Sequence, residues 1–335
     1  MQDIADSLNI SKNAVSLAIN GKPGISEDLR EKVLTAATRL GYFKVDQKKT
    51  RNNNLLLIMD EGRDTESDFF FPTISATIRY AKKKGYNVLV TSVNAEFQNQ
   101  LSIPRTYYEL KAEGVLFIGD IKRNFLQMFL DMGIPSVLMV QHLYGVASDN
   151  VISDNDDGGY VMTKHLIGLG HKKIGYIADL GMFESFTKRQ LGYKKALEES
   201  QLTYGPYDYS FYSSGEKPSI KTMGPPIDKI MKNPDKPSAW LCGNDHTAIV
   251  LINEFRKRGI MVPDDVSVTG FDAISTSAVF NPAITTYDSR IDLIARYSVD
   301  LVVSHIENGH DNWNPVIISV IGRIINGEST RSVDG

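Results

Sequence analysis

The sequence predicts an α/β protein with parallel sheets, preceded by a small all-helical head, and three observations carry that prediction. From residue 55 onward, short apolar runs alternate with stretches of helical length. Strands separated by such helices make a parallel sheet covered on both faces. The first 42 residues instead read as three short helices joined by tight turns. Between the two lies FKVDQKKTRNNN at 43–54, polar and without a period, which reads as a linker.

In the head, Ile4, Ala5, Leu8, Val15, Leu17 and Ile19 supply the apolar positions. Leu8-Asn9-Ile10-Ser11 breaks the first helical period, and the Ser11 hydroxyl is placed to accept an orphan N–H of the next helix. The result is helix, turn, helix, with Lys12, Asn13 and Ser16 on the second helix as groups able to reach base edges and phosphates. Asn20-Gly21 and Pro23-Gly24 mark turns. Ser26 caps a third helix, with Glu27 and Asp28 in the first turn where the helix dipole favours acids. Leu29, Val33, Ala36 and Leu40 then face one side at helical spacing. Spacing alone leaves a DNA-binding unit and a plain helical subdomain both open.

The body begins with a strand at 55–59, a charged loop at 60–68, and a helix entered through Phe69-Phe70-Phe71-Pro72 and running to Lys84. A strand at 87–91, a helix at about 98–111, a strand at 114–118, a helix at 122–132 and a strand at 134–140 follow. The pattern repeats with helices near 158–169, 187–200, 219–232 and 246–259 and strands near 173–177, 209–212, 239–242 and 266–270. A helix at about 290–308 and strand pieces at 317–325 close the chain.

Composition narrows the class. With 42% apolar and 23% charged residues the chain has enough of both for a soluble globular fold. A single cysteine, Cys242, in a run that reads as a buried strand, excludes a disulfide framework and argues for a reducing compartment. The sequence holds no signal-peptide pattern and no apolar stretch long enough to span a membrane, so a cytoplasmic location without membrane association is expected. Residues 1–54 carry nine Lys/Arg against six Asp/Glu, leaving 28 against 34 in the remainder. A basic head on an acidic body suits localised phosphate contact.

Asp3-Ile4-Ala5, Ile10-Ser11, Val15-Ser16, Asn20-Gly21 and Leu40-Gly41-Tyr42 occur together and in order. In this the head resembles the DNA-binding headpiece of the LacI/GalR family of bacterial transcriptional repressors. Further signals continue the resemblance along the body, among them Gly133-Ile134-Pro135, Asp154-Asn155, Gly158-Gly159, Gly170-His171, Arg189 with Gly192-Tyr193, Asn244-Asp245 and Gly270-Phe271-Asp272. The resemblance implies a helix-turn-helix headpiece (1–42), a linker (43–54) and a two-lobed body like that of periplasmic binding proteins. One lobe would be built from 55–152 and 283–310, the other from 153–282 and 311–335. It further implies a homodimer facing a palindromic operator, and a small-molecule effector bound between the lobes.

Mapped residue by residue, the family's base-reading positions fall on Lys12, Asn13 and Leu17. Leucine is a departure where an arginine often reads guanine; it offers apolar contact to a thymine methyl or simply packs. Ser16 and Asn20 suit phosphate or local backbone contacts, and Lys48, Lys49 and Arg51 in the linker suit salt-dependent backbone contact, with plain solubility as the other reading. The linker lacks the alanine- and leucine-containing hinge helix of many relatives, and Met1 stands close before Asp3 where relatives place a capping threonine. On the effector side the resemblance points to Arg189 and Asp272, with Asp157, Ser185 and Asn244 beside them. Phe70, Phe71 and Tyr212 would supply aromatic walls. Against these stand an interdomain salt bridge for Arg189, loop capping for Asp272, helix capping for Asp157 and ordinary core for the phenylalanines. The set suits a neutral sugar or oligosaccharide, with a nucleoside or purine next.

None of the six histidines has compact metal-ligand spacing, and neither a nucleophile elbow nor a phosphate loop follows a strand. No catalytic residue, metal or cofactor is expected. The reading is an effector-controlled, sequence-specific repressor; the alternative is a sugar or nucleoside sensor module without specific operator binding.

Overall fold

The computed structural model describes residues 1–19, 22–40, 42, 52–61, 68–181, 184–203, 207–210, 227–228, 230–309 and 313–333. Three helices open the chain: α1 (Gln2–Leu8), α2 (Lys12–Ile19) and α3 (Glu27–Arg39). Ser11 Oγ accepts the Ala14 N–H at 3.1 Å and Ser26 Oγ the Leu29 N–H at 3.3 Å, so both serines cap as their positions predict. Met1 gives α1 no side-chain cap. Ile4, Ala5, Val15, Ala18, Val33 and Ala37 form the core of the head. The buried stripe of α3 differs from the expected one. Leu40 is 52% exposed, whereas Arg30, Val33, Leu34 and Ala37 turn inward.

By its contacts the chain divides into two compact units, 1–152 with 292–318 and 153–291 with 319–335. The first contains β1 (Asn54–Asp60), α4 (Phe70–Lys83), β2 (Asn87–Val93), α5 (Ala95–Gln100), α6 (Arg105–Glu109), β3 (Gly114–Ile118), α7 (Arg123–Asp131) and β4 (Ser136–Met139). Strand β5 (Asp149–Ser153) leads out of it, helix α12 (Ile291–Asn308) leads back, and β10 (Ile317–Val320) leaves again. The sheet order is β10-β5-β4-β3-β1-β2, with the pairs from β5 to β2 parallel. Phe117, Phe125 and Phe129 meet edge to face at 5.0–6.1 Å in the layer between this sheet and α7.

Two features depart from the sequence reading. The helix expected over 98–111 is split into α5 and α6, because Leu101 caps α5 in the left-handed region and Pro104 cannot continue a helix from 103. Strand β5 has no counterpart in the sequence reading, since Asp149, Asn150 and Ser153 interrupt the apolar run although all three are buried. Asp149 tolerates burial through its partners. His305 Nε2 lies 2.7 Å from it, Trp313 Nε1 donates at 3.1 Å and the Val316 N–H at 2.8 Å. Burial alone would raise its pKa; the bonds from His305, Val316 and Trp313 outweigh that and hold it below the ordinary value.

The second unit holds α8 (Asn155–Gly168), β6 (Ile174–Ile177), α9 (Glu184–Glu199), β7 (Ala239–Cys242), α10 (Asp245–Arg256), β8 (Ser267–Thr269), α11 (Ser275–Val279), β9 (Thr286–Asp288) and β11 (Arg323–Ile325). A parallel sheet β6-β7-β8 is extended by single bridges from Tyr176 to Asp208 and from Thr269 to Thr285, while β9 and β11 pair antiparallel. The strand expected at 209–212 and the helix at 219–232 fall largely outside the described residues. Helices α8 and α9 cross backbone to backbone. A Cβ on Gly159 would lie 2.1 Å from the Arg189 carbonyl oxygen, and one on Gly192 would lie 2.0 Å from that of Asp156. Only glycine at both positions lets α9 bring Arg189 against the start of α8.

Candidate functional site

In the head, Lys12 and Asn13 are exposed on the first turn of α2, and Ser16 is half-buried. Leu17 is half-buried too, its Cδ1 3.4 Å from where a Gly24 side chain would begin, so it packs along the following turn. Asn20, Lys48, Lys49 and Arg51 lie outside the described residues. The end of α2 is held by a residue that sequence spacing did not mark. Arg30, 4% exposed, reaches from α3 and donates to the Leu17 and Ala18 carbonyls at 3.0 Å each and to the Lys22 carbonyl at 2.5 Å. A cation over the last carbonyls of a helix is favoured by its dipole and satisfies acceptors that the helix leaves open.

In the second unit a polar cluster is built around Arg189. Its Nη2 donates to Asp272 Oδ1 at 2.9 Å, its Nε to Asn155 Oδ1 at 2.9 Å and its Nη1 to the Gly243 carbonyl at 2.5 Å. The guanidinium stacks on Phe271, 3.6 Å from the ring centroid. Ser289 Oγ donates to Asp272 Oδ1 at 2.8 Å. Arg189 is 5% exposed and the Asp272 side chain 11%, so the pair is desolvated and strong in both charge and geometry. Asp272 has a backbone φ of +100°, outside the range side chains prefer, and Ala273 follows at +53°.

The other expected residues of this unit are near in chain. Ser185 lies four residues before Arg189 on α9 and is half-buried. Asn244 follows Gly243 and caps α10, accepting from the Thr247 N–H at 2.9 Å and its hydroxyl at 2.8 Å. Asp157 is half-buried in the first turn of α8; the cap there is Asp154, which accepts the Asp157 N–H at 3.1 Å. Asn155, Phe271 and Ser289 complete the cluster and were not singled out individually. In the first unit, Phe70 is buried edge-on to Phe69, and Phe71 is 65% exposed. Tyr212 lies outside the described residues.

Asp245, the first residue of α10, is fully buried. Burial raises its pKa from 3.8 to about 7, with the Asp272 charge adding to the rise against bonds from Thr286, Ile274 and Ser277. The folded chain therefore keeps a proton that the unfolded chain has lost. The stability this confers is complete below about pH 4 and is lost as pH rises to about 7. Between those limits, the melting temperature of the wild-type protein is expected to fall by about 5 °C relative to Asp245→Asn. Parallel profiles in scanning calorimetry would disprove it.

Among the described residues, no group of three or more His, Cys, Asp or Glu side chains is placed to hold a metal ion. No described helix is long and apolar enough to cross a membrane.

A helical head with a capped recognition-type helix, followed by two α/β units, defines the class of protein. Residues 1–44 match the model of bacterial regulatory proteins of the lacI family, and residues 163–330 match a periplasmic binding protein-like domain. The chain belongs to the LacI family, a family of DNA-binding regulators rather than enzymes. Similar proteins include the HTH-type transcriptional repressor PurR of Aliivibrio salmonicida, 28% identical over 92% of this chain and 93% of that protein. The NTD biosynthesis operon regulator NtdR of Bacillus subtilis is 28% identical over 98% and 99%. The ribose operon repressor of Haemophilus influenzae is 24% identical over 95% of each. Among solved structures, a CelR–cellobiose complex superposes with a TM-score of 0.70 at 21% identity, over 97% of this chain and 98% of the other. A lac repressor dimer bound to operator and an anti-inducer gives 0.70 at 18% identity over 98% of each.

Proposed function

We propose that this chain is a sequence-specific transcriptional repressor, acting as a homodimer on a palindromic operator, whose DNA affinity is set by a neutral polyhydroxylated effector. What carries the reading is one chain holding both an exposed Lys12–Asn13 face on a capped α2 and the Arg189–Asp272 cluster. Lys12 and Asn13 are of the residue types that form bidentate bonds to base edges. The Arg189–Asp272 pair is charge-neutral as a whole, and its donors and acceptors, bonded to one another and to Asn155 and Gly243 within the unit, are of the kinds that adjacent sugar hydroxyls exchange with. A similar repressor named for the ribose operon and a similar regulator solved in complex with cellobiose support the sugar class. Asp157, Ser185 and Asn244 are proposed as further effector contacts, and Phe70, Phe71 and Tyr212 as the aromatic ones. Two-fold symmetry presents two heads to two half-sites, and an effector acts only by preferring one conformation.

The test is binding of the purified protein to palindromic duplexes from upstream of its own gene against scrambled duplex, with and without ribose, cellobiose and nucleosides. A preference for one palindrome that a sugar abolishes supports the proposal; no preference under any condition overturns it. A sugar that raises the melting temperature without any palindrome preference leaves the sensor reading, which the packed Leu17 favours. In the first case Lys12→Ala is expected to weaken the preferred palindrome about tenfold and leave scrambled duplex unchanged. Equal loss on both makes Lys12 a phosphate contact.

A further inference from the structure

We propose that Asp245 is the positioning residue of the Arg189–Asp272 cluster: its buried carboxyl group holds the loop after β8 in the conformation that presents Asp272 to the guanidinium. The functional consequence rests on the effector reading above; the mechanical claim does not.

Asp245 begins α10, and its side chain bonds to the Asp272 loop, to β9 and to Ser277 of α11, the short helix that the loop leads into. Oδ2 accepts the Ile274 N–H at 2.9 Å, and Oδ1 accepts from Thr286 Oγ1 at 2.5 Å. The same Thr286 hydroxyl oxygen accepts the Ala273 N–H at 3.3 Å. The two residues that follow Asp272 are thus tied, one directly and one through Thr286, to a single carboxyl group. From the other side, the Asp245 N–H donates to the Phe271 carbonyl at 2.8 Å, and the Asp272 N–H to the Tyr287 carbonyl at 2.8 Å. Asp245 therefore brackets residues 271 and 274, on either side of the two positions with positive φ.

The neighbourhood directs this side chain inward, to the loop and the elements that flank it. Asp245 is fully buried and Thr286 is 2% exposed, so neither meets solvent or a ligand directly. A side chain on Gly270 would begin 2.0 Å from Asp245 Oδ1, so the strand end has been kept bare where the carboxyl group passes. A helix cap would not require this, because Asn244 already caps α10. Positive φ at Asp272 and Ala273 is unfavourable for residues with a Cβ and persists only where the surroundings impose it. The bonds from Asp245 and Thr286 are what impose it.

The test is a double-mutant cycle read by thermal unfolding of the full-length protein, and it needs no ligand. Arg189→Met is expected to lower the melting temperature by roughly 10 °C in the wild-type background. In the Asp245→Asn background it is expected to lose less than half of that, because Asp272 no longer sits opposite the arginine. Additive shifts would overturn the proposal. Where Asp245→Asn does not fold, Thr286→Val strips the carboxyl group of its Thr286 hydroxyl partner at nearly constant shape and must show the same coupling. Amide exchange supplies a site-resolved check. Ile274 protection in the variant should fall at least tenfold while that of Leu241 and Val268 in the sheet holds. Uniform loss across the unit would reduce Asp245 to a general stability residue. Failure of sugars to bind the wild-type protein would remove the effector reading and leave this coupling intact.

Discussion

Replacing Arg189 with methionine is expected to lower the melting temperature of the second unit by roughly 10 °C and to abolish any sugar-induced stabilisation. The first effect follows from what is left behind. Asp272 is held at an unfavourable φ, its side chain is 11% exposed, and Arg189 is its charge partner at 2.9 Å. Breaking a buried pair by removing one member costs about 3–5 kcal/mol, because the remaining charge is uncompensated. Asn155 and the Gly243 carbonyl also lose their donors, and Phe271 loses the cation on its face. If the cost lies in the stranded carboxylate, adding Asp272→Asn to Arg189→Met should restore at least half of the lost stability. A single-variant shift below about 2 °C in calorimetry would mean that solvent reaches Asp272 and that the pair is worth no more than a surface one. Arg189→Lys separates the two effects. A lysine retains the charge without the fork, so stability should largely survive while sugar binding does not.

That pair also marks the limit of what sequence can show. The strands of both sheets announce themselves as apolar runs, because a parallel strand is buried on both faces and tolerates little else. Strand β5 did not, because its buried Asp149 is satisfied by His305, Trp313 and Val316, more than 150 residues away in the chain. Arg189 and Asp272 were each marked by resemblance, but their contact spans 83 residues and no periodicity reports it. Asp245 and Asn244 are adjacent polar residues at the start of one helix, and no spacing tells which of them caps it and which is buried; Asn244 caps and Asp245 is buried. The outer pattern of an element is local and legible. A polar atom's partner is set by the fold.

Arg30→Met is expected to lower the protein's affinity for its preferred duplex by roughly 100-fold while leaving the melting of the two α/β units unchanged. In the sequence Arg30 is one more charged residue on an amphipathic helix; in the fold it is 4% exposed and closes the far end of α2. Its guanidinium donates to the carbonyls of Leu17, Ala18 and Lys22, of which the Leu17 oxygen keeps a second donor in the Lys22 N–H. Hydrogen bonds to charged groups are worth about 1.5–3 kcal/mol each when buried, so losing the set costs about 3 kcal/mol even after water repays part of it. A head of this size has a total stability of only a few kcal/mol. The variant's head is therefore expected to be unfolded for a substantial fraction of the time, and binding loses about two decades by that linkage. Arg30→Lys should recover part of the loss and not all, since one ammonium cannot span three carbonyls. Amide exchange at Val15–Ala18 reads the same event without DNA. If those amides stay protected and binding falls less than threefold, Arg30 is dispensable, and the carbonyl end of α2 is held by its apolar contacts alone.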